Sequence, residues 1–191
     1  MLVKTEEYKG FTIKLHIDED PRNPREEYDY FSTMLCWHSQ YSLGDDNPYR
    51  DPDEAWEYIT ESRAVVLPLY LYDHSGLSMS TSRSYPFNDP WDAGQVGWIF
   101  IEREKVLKEY SRKKLTRSLI RKAEDMMMSE VREYDDYLRG EVYGYVVNDK
   151  DGEHIDSCCG FYGDLDYVVA EAKSVVDASI TQLELPFPKV A

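Results

Sequence analysis

One segment of the chain carries residue types that could perform general acid-base chemistry. Asp73, His74 and Ser75 are consecutive, so their three side chains cannot converge on one reacting atom as a catalytic triad does. The pattern instead favours His74 as a general base that a carboxylate distant in sequence orients. The candidate carboxylates for that role are Asp92, Asp45 and Asp46.

A second histidine could lie near the same place. His38 follows Cys36 and Trp37 at the end of a predicted strand, and Gln95 could serve as an orienting amide. On this hypothesis the protein is a small hydrolase that acts on a nucleotide-like substrate. The alternative is that these side chains only hydrogen-bond loop backbone. The residues of the hydrolase hypothesis are His74, Asp73, Asp92 and His38.

Motifs for other chemistries are missing from the sequence. It contains no phosphate-binding glycine loop, no G-x-S-x-G elbow and no H-E-x-x-H pair. Its three cysteines form no C-x-x-C pair and its four histidines are scattered singly, which argues against a zinc site and a disulfide framework. We therefore expect neither a metal nor a cofactor.

The charge of the chain is strongly acidic and unevenly distributed. The formal net charge is -15, beyond the magnitude of roughly 2 to 8 that keeps a small domain soluble. Residues 18–57 hold about twelve acids against three arginines, and residues 124–166 hold about thirteen acids against three bases. Such a surface would repel nucleic acid and anionic membranes and attract a basic partner.

This excess of acids suggests nucleic-acid mimicry, in which carboxylates approximate the spacing of phosphates. The predicted ridge combines acids of a long helix with acids of a neighbouring hairpin. A solvated helix with interspersed salt bridges is the simpler alternative. The partner-binding candidates are Glu130, Glu133, Asp136, Asp149, Asp151, Glu153 and Asp156.

Residues 102–122 have the opposite charge, with about nine basic residues against three acids. This basic segment could bind the protein's own acidic face, an acidic patch elsewhere, or a second copy of the chain. The last option predicts a homodimer through Arg112, Lys113 and Lys114.

The N-terminal residues favour a cytoplasmic protein. They contain no long apolar run and become acidic almost at once, which is unlike a signal peptide or a membrane span. The sparse cysteines agree with a reducing compartment.

Hydrophobic periodicity predicts an α+β fold with a mainly antiparallel sheet, on one face of which a long amphipathic helix and two or three shorter helices pack. We expect one domain over residues 1–191, with a helical segment at 102–139, a β-hairpin at 141–161 and an extended tail at 180–191. An exposed loop is predicted at 18–29 and a long loop at 73–92. Strands are predicted at 9–18, 30–38, 65–72 and 96–101, and helices at 54–63, 103–110, 116–139 and 164–179.

Five motifs give the sequence a recognisable signature: MLCWH at 34–38, LPLYLYDHSG at 67–76, PWDAGQVG at 90–97, GEVYGY at 140–145 and DSCCGFYG at 156–163. In these motifs the chain resembles an uncharacterised family of small acidic proteins common in bacteriophages and mobile elements. Cys159 departs from the family, in which tryptophan is usual at this position. The resemblance implies an origin and assigns no catalytic residues.

A phage origin favours an accessory protein that inhibits host defence, as anti-restriction and anti-CRISPR proteins do. The leading hypothesis is a non-enzymatic inhibitor that binds the basic nucleic-acid groove of a host nuclease or effector complex through its acidic surface. The His74 hydrolase is the alternative.

Overall fold

The computed structural model describes residues 1–82, 85–87 and 91–184, the last three by their backbone alone. The fold is α+β, with two antiparallel four-stranded sheets and five helices in the described residues. The chain divides into two compact units, Met1–Arg22 with Gly140–Ala191 and Asn23–Arg139. The single domain expected for residues 1–191 stays a prediction.

The first unit contains β1 (Leu2–Tyr8), β2 (Phe11–Ile17), β7 (Val142–Asn148), β8 (His154–Tyr162) and α5 (Leu165–Glu184), and its sheet has the order β1-β2-β7-β8. Lys9 and Gly10 both have positive φ, as a two-residue hairpin turn requires. On α5, Val168, Ala172 and Val176 recur every four residues and pack on the inward side chains of β2 and β7. One helix therefore covers one face of this sheet.

The second unit contains β3 (Thr33–Cys36), β4 (Val65–Asp73), β5 (Leu77–Thr81) and β6 (Ala93–Ile101) in the order β3-β6-β4-β5, with α1 (Pro24–Glu27), α2 (Pro52–Glu61), α3 (Arg103–Glu109) and α4 (Arg117–Leu138). Alternate residues of a strand point to opposite faces of the sheet. Ile99 therefore joins the core under α4, whereas Phe100 joins a second core under α2 with Ala55 and Ile59.

The α+β class and the long helix packed on a sheet are confirmed. The prediction of one sheet with helices on one face is wrong, because the strands form two sheets and the second has buried side chains and helices on both faces. The 141–161 hairpin forms as β7 and β8, and the 102–139 segment forms α3 and α4.

Three segments differ from their predicted form. The 18–29 loop contains α1, and the 73–92 loop contains β5, whose Met79 packs in the core. Helix α5 continues through residues 180–184, where an extended tail was expected, and residues 185–191 of that tail lie outside the described residues. Within the described part of the chain, no helix combines the length and apolarity that crossing a bilayer demands.

Candidate functional site

His74 contacts one of its three candidate carboxylates. Its Nδ1 lies 2.8 Å from Oδ2 of Asp92, at the turn between β4 and β5 and the start of β6. The backbone N–H of Asp73 donates to the Asp92 carbonyl at 2.8 Å, which holds the two segments together. With Nδ1 held by a carboxylate, Nε2 is the ring nitrogen that could accept a proton. The His74 side chain is 60% exposed.

The other residues of the hydrolase hypothesis have different contacts. Nδ1 of His38 accepts the Gln40 backbone N–H at 3.3 Å, and its ring stacks on Tyr41. The Gln95 amide donates to the Gly97 carbonyl at 3.2 Å. Both side chains therefore hydrogen-bond backbone groups two residues away, which agrees with a structural role and not with catalysis.

Asp45 belongs to a buried ion-pair network and not to His74. Both of its carboxylate oxygens accept hydrogen bonds from Arg25, each at 2.7 Å. Arg25 also donates to Oε2 of Glu130 at 2.9 Å, and the Ser32 hydroxyl donates to the same oxygen. This network joins α1, two loops and α4 within the second unit through Arg25, Ser32, Asp45 and Glu130.

A polar cleft of about 1250 Å³ opens beside this network. Its lining includes His38, Cys36 and Asn47, and the Asn47 amide donates to the Cys36 carbonyl at 3.3 Å. Burial raises the pKa of the Cys36 thiol to about 12, so at neutral pH this cysteine is not a nucleophilic thiolate.

Glu130 is wrongly assigned to the partner-binding surface. It is 7% exposed, and its carboxylate is engaged by Arg25 and Ser32, so it does not face a partner. The same network corrects the predicted exposure of the 18–29 loop, because Arg25 is 8% exposed. On α4, Glu133 and Asp136 are half-buried.

The acids of the hairpin differ in their roles. Oδ1 of Asp149 accepts the backbone N–H groups of Asp151 and Glu153, each at 2.9 Å, so this carboxylate builds the turn. Asp156 accepts a hydrogen bond from the Tyr145 hydroxyl at 3.3 Å. Asp151 and Glu153 are exposed. The acids of α4 belong to the second unit and those of the hairpin to the first, and the ridge that would combine them stays a prediction.

Helix α2 presents carboxylates that the sequence analysis did not single out. Its ten residues include four exposed acids and no lysine or arginine. Asp51 caps the helix by accepting the Glu54 N–H at 3.0 Å, and its early acids suit the positive end of the helix dipole. We call Asp53, Glu54, Glu57 and Glu61 the acidic face of α2. The sequence PDEAWEYITE already places these acids three and four residues apart, a spacing that predicts neighbouring side chains on a helix.

The basic segment is exposed at Arg112, Lys113 and Lys114, in the connection between α3 and α4. Other cations of the segment lie over aromatic rings. Lys105 lies 5.0 Å from the Phe31 ring centroid, and Lys122 lies 5.3 Å from that of Tyr110. The homodimer through this segment stays a prediction.

Comparisons of the chain with protein-family models, with curated proteins and with solved structures find no match. A function therefore has to be inferred from the residues of this chain.

Proposed function

We propose that this protein is a phage or mobile-element accessory protein that inhibits a host defence nuclease or effector complex without catalysis. It acts in the bacterial cytoplasm and binds the basic nucleic-acid groove of its target through carboxylates. The observation that carries this proposal is the acidic face of α2, with four exposed acids on ten residues and no base among them.

The charge pattern of α2 supports a role in binding rather than in stability. Asp53, Glu57 and Glu61 follow one another at intervals of four residues, about 6 Å of helix rise each. Asp53 lies in the first turn, where the helix dipole favours an acid. Glu57 and Glu61 lie beyond that turn, and like charges at this spacing destabilise a helix by roughly 0.2–0.5 kcal/mol per pair. A basic partner that neutralises these two acids accounts for their presence.

A direct test uses two variants with equal changes in charge. Asp53→Lys/Glu57→Lys alters the acidic face, and Asp151→Lys/Glu153→Lys alters exposed acids of the hairpin. Tagged wild-type protein is used to capture proteins from a host lysate at 0.1 M and 0.5 M salt. We expect capture of a basic, nucleic-acid-binding defence protein at low salt only, since salt screens exposed charges.

The purified target is then assayed for nuclease activity with each variant. We expect Asp53→Lys/Glu57→Lys to abolish inhibition and the hairpin variant to reduce it less. Inhibition that survives 0.5 M salt and both charge reversals would contradict the proposal.

The hydrolase is a second candidate, because His74 and Asp92 form the 2.8 Å contact that a general base with an orienting carboxylate needs. Incubation with cyclic dinucleotides and nucleoside triphosphates tests it. His74→Ala should abolish turnover and Asp92→Asn should reduce it, with the fold intact by circular dichroism. Turnover that His74→Ala leaves unchanged eliminates this candidate.

A further inference from the structure

Helix α2 carries an exposed indole as well as exposed acids. Trp56 is 44% exposed, and its ring packs on Trp98 of β6 with centroids 5.1 Å apart. Trp98 in turn meets Trp37 edge-on, with a centroid distance of 5.7 Å. The two inner tryptophans are half-buried, so they fix the orientation of Trp56 while leaving part of its ring in solvent.

Two acids are neighbours of Trp56 in the sequence of α2. Asp53 is one turn before Trp56, and Glu57 is the next residue; both are exposed. In the described part of the chain neither carboxylate forms an ion pair. The face of an indole attracts cations through its quadrupole, and neighbouring carboxylates add a Coulombic attraction for the same charge.

We propose that Trp56, Asp53 and Glu57 hold an arginine side chain of a basic polypeptide partner. The inference rests on the proposed function and deepens it by naming the side chain that the acidic face of α2 recognises. Arginine fits better than lysine, because a planar guanidinium stacks on an indole while it donates hydrogen bonds to carboxylates in its plane. The same carboxylates repel phosphate, which excludes nucleic acid and anionic lipid as occupants.

The test measures binding of fluorescein-labelled nona-arginine and nona-lysine by fluorescence anisotropy at 0.05 M salt. Trp56→Leu removes the aromatic ring but keeps an apolar side chain, and Trp56→Phe keeps a ring. Trp91→Ala is the matched control, because Trp91 is 91% exposed and lies outside α2. We expect Trp56→Leu to weaken nona-arginine binding about fivefold, with Trp56→Phe within about twofold and Trp91→Ala unchanged. Nona-lysine should respond less to Trp56→Leu.

Equal affinity of Trp56→Leu and Trp91→Ala for nona-arginine would overturn the inference. If Asp53→Lys/Glu57→Lys then still loses the peptide, the acidic face binds cations without the aromatic ring, and the proposed function stands. If neither the Trp56 variants nor the charge reversal changes the affinity, both proposals fail. Thermal unfolding of Trp56→Phe and Trp56→Leu shows whether either result comes from lost structure.

Discussion

Arg25 and Glu130 form a buried ion pair within the second unit, with 2.9 Å between Nη1 and Oε2. The two residues are 105 positions apart in the chain. Their side chains are 1% and 8% exposed, so both charges have lost most of their hydration. The Coulombic attraction and the hydrogen bonds from Arg25 and Ser32 offset that loss. Glu130 therefore serves the fold and not the surface.

The first prediction concerns this pair. Glu130→Ala should lower the free energy of unfolding of the second unit by about 3 kcal/mol, because it removes the acceptor of Arg25 Nη1 and of the Ser32 hydroxyl. Urea unfolding followed by tryptophan fluorescence measures it, since all four tryptophans lie in this unit. Asp125→Ala, an exposed carboxylate of the same helix, should change the free energy by less than about 0.5 kcal/mol. Similar effects of the two substitutions would contradict the structural role of Glu130.

The second prediction concerns two glycines of β6. A Cβ at Gly97 would lie 1.9 Å from the Leu35 carbonyl oxygen of the neighbouring strand, whereas a Cβ at Gly94 would meet nothing within 4 Å. Gly97→Ala should therefore cost about 3 kcal/mol, because backbone atoms of β3 must move, and Gly94→Ala should be tolerated. Thermal unfolding of both variants checks this. A Gly97→Ala protein as stable as Gly94→Ala would show that β3 and β6 can separate without loss.

The long helix and the hairpin could be predicted because their patterns are local. On α4, Leu119, Ala123 and Met127 recur every four residues and line the core, as the period predicts. Strand β5 could not be predicted, because LSMST is only five residues long and only Met79 is fully buried. It forms a strand because it pairs with β4.

The candidate site also contains contacts that could be predicted from the sequence and contacts that could not. The contact of His74 with Asp92 could be proposed because both residues flank the long 73–92 segment. The partners of Arg25 could not be predicted, because burial of an arginine depends on carboxylates that only the tertiary fold brings together. A large aromatic side chain near glycines usually packs in a core, as Trp37 does against Trp98. Trp91 is 91% exposed despite the same kind of sequence neighbourhood.

The third prediction is a decrease of stability at alkaline pH through Cys36. Burial raises the pKa of its thiol from 9.0 to about 12, so the unfolded chain releases this proton at a lower pH than the folded chain. The thiol's contribution to stability is therefore fully present below pH 9 and is lost as the pH rises from 9 towards 12, by at most about 1.4 kcal/mol per pH unit. Urea unfolding of wild type and Cys36→Val between pH 7 and 10.5 measures the difference.

Comparison with Cys36→Val isolates the thiol. Burial also raises the pKa of Tyr134 to about 12, so this tyrosine too lowers stability as the pH rises. It is present in both proteins. The wild-type curve should fall more steeply than that of the variant above pH 9. Parallel curves would show that the folded and unfolded states release the Cys36 proton alike.

The fourth prediction addresses the homodimer through the basic segment. If Arg112, Lys113 and Lys114 hold a second copy, light scattering at 0.05 M salt should give the mass of a dimer, and neutralising all three to glutamine should give a monomer. A control neutralises Lys14, Arg132 and Lys150, which are exposed elsewhere, and should remain a dimer. A monomeric wild-type protein at low salt would contradict the prediction, because weak screening favours contacts between exposed charges.

The last prediction separates the turn-building role of Asp149 from a role in binding. Asp149→Ala removes the acceptor of two backbone N–H groups and should destabilise the first unit by about 1–2 kcal/mol. Asp149→Asn keeps the side-chain oxygen and removes the charge, so it should retain most of the stability. Amide hydrogen exchange of β7 and β8 measures both, with Asp151→Ala as an exposed control expected to match wild type. Because Asp149→Asn changes charge with little change in structure, a loss of inhibition in this variant would place the hairpin, and not only α2, in the binding surface.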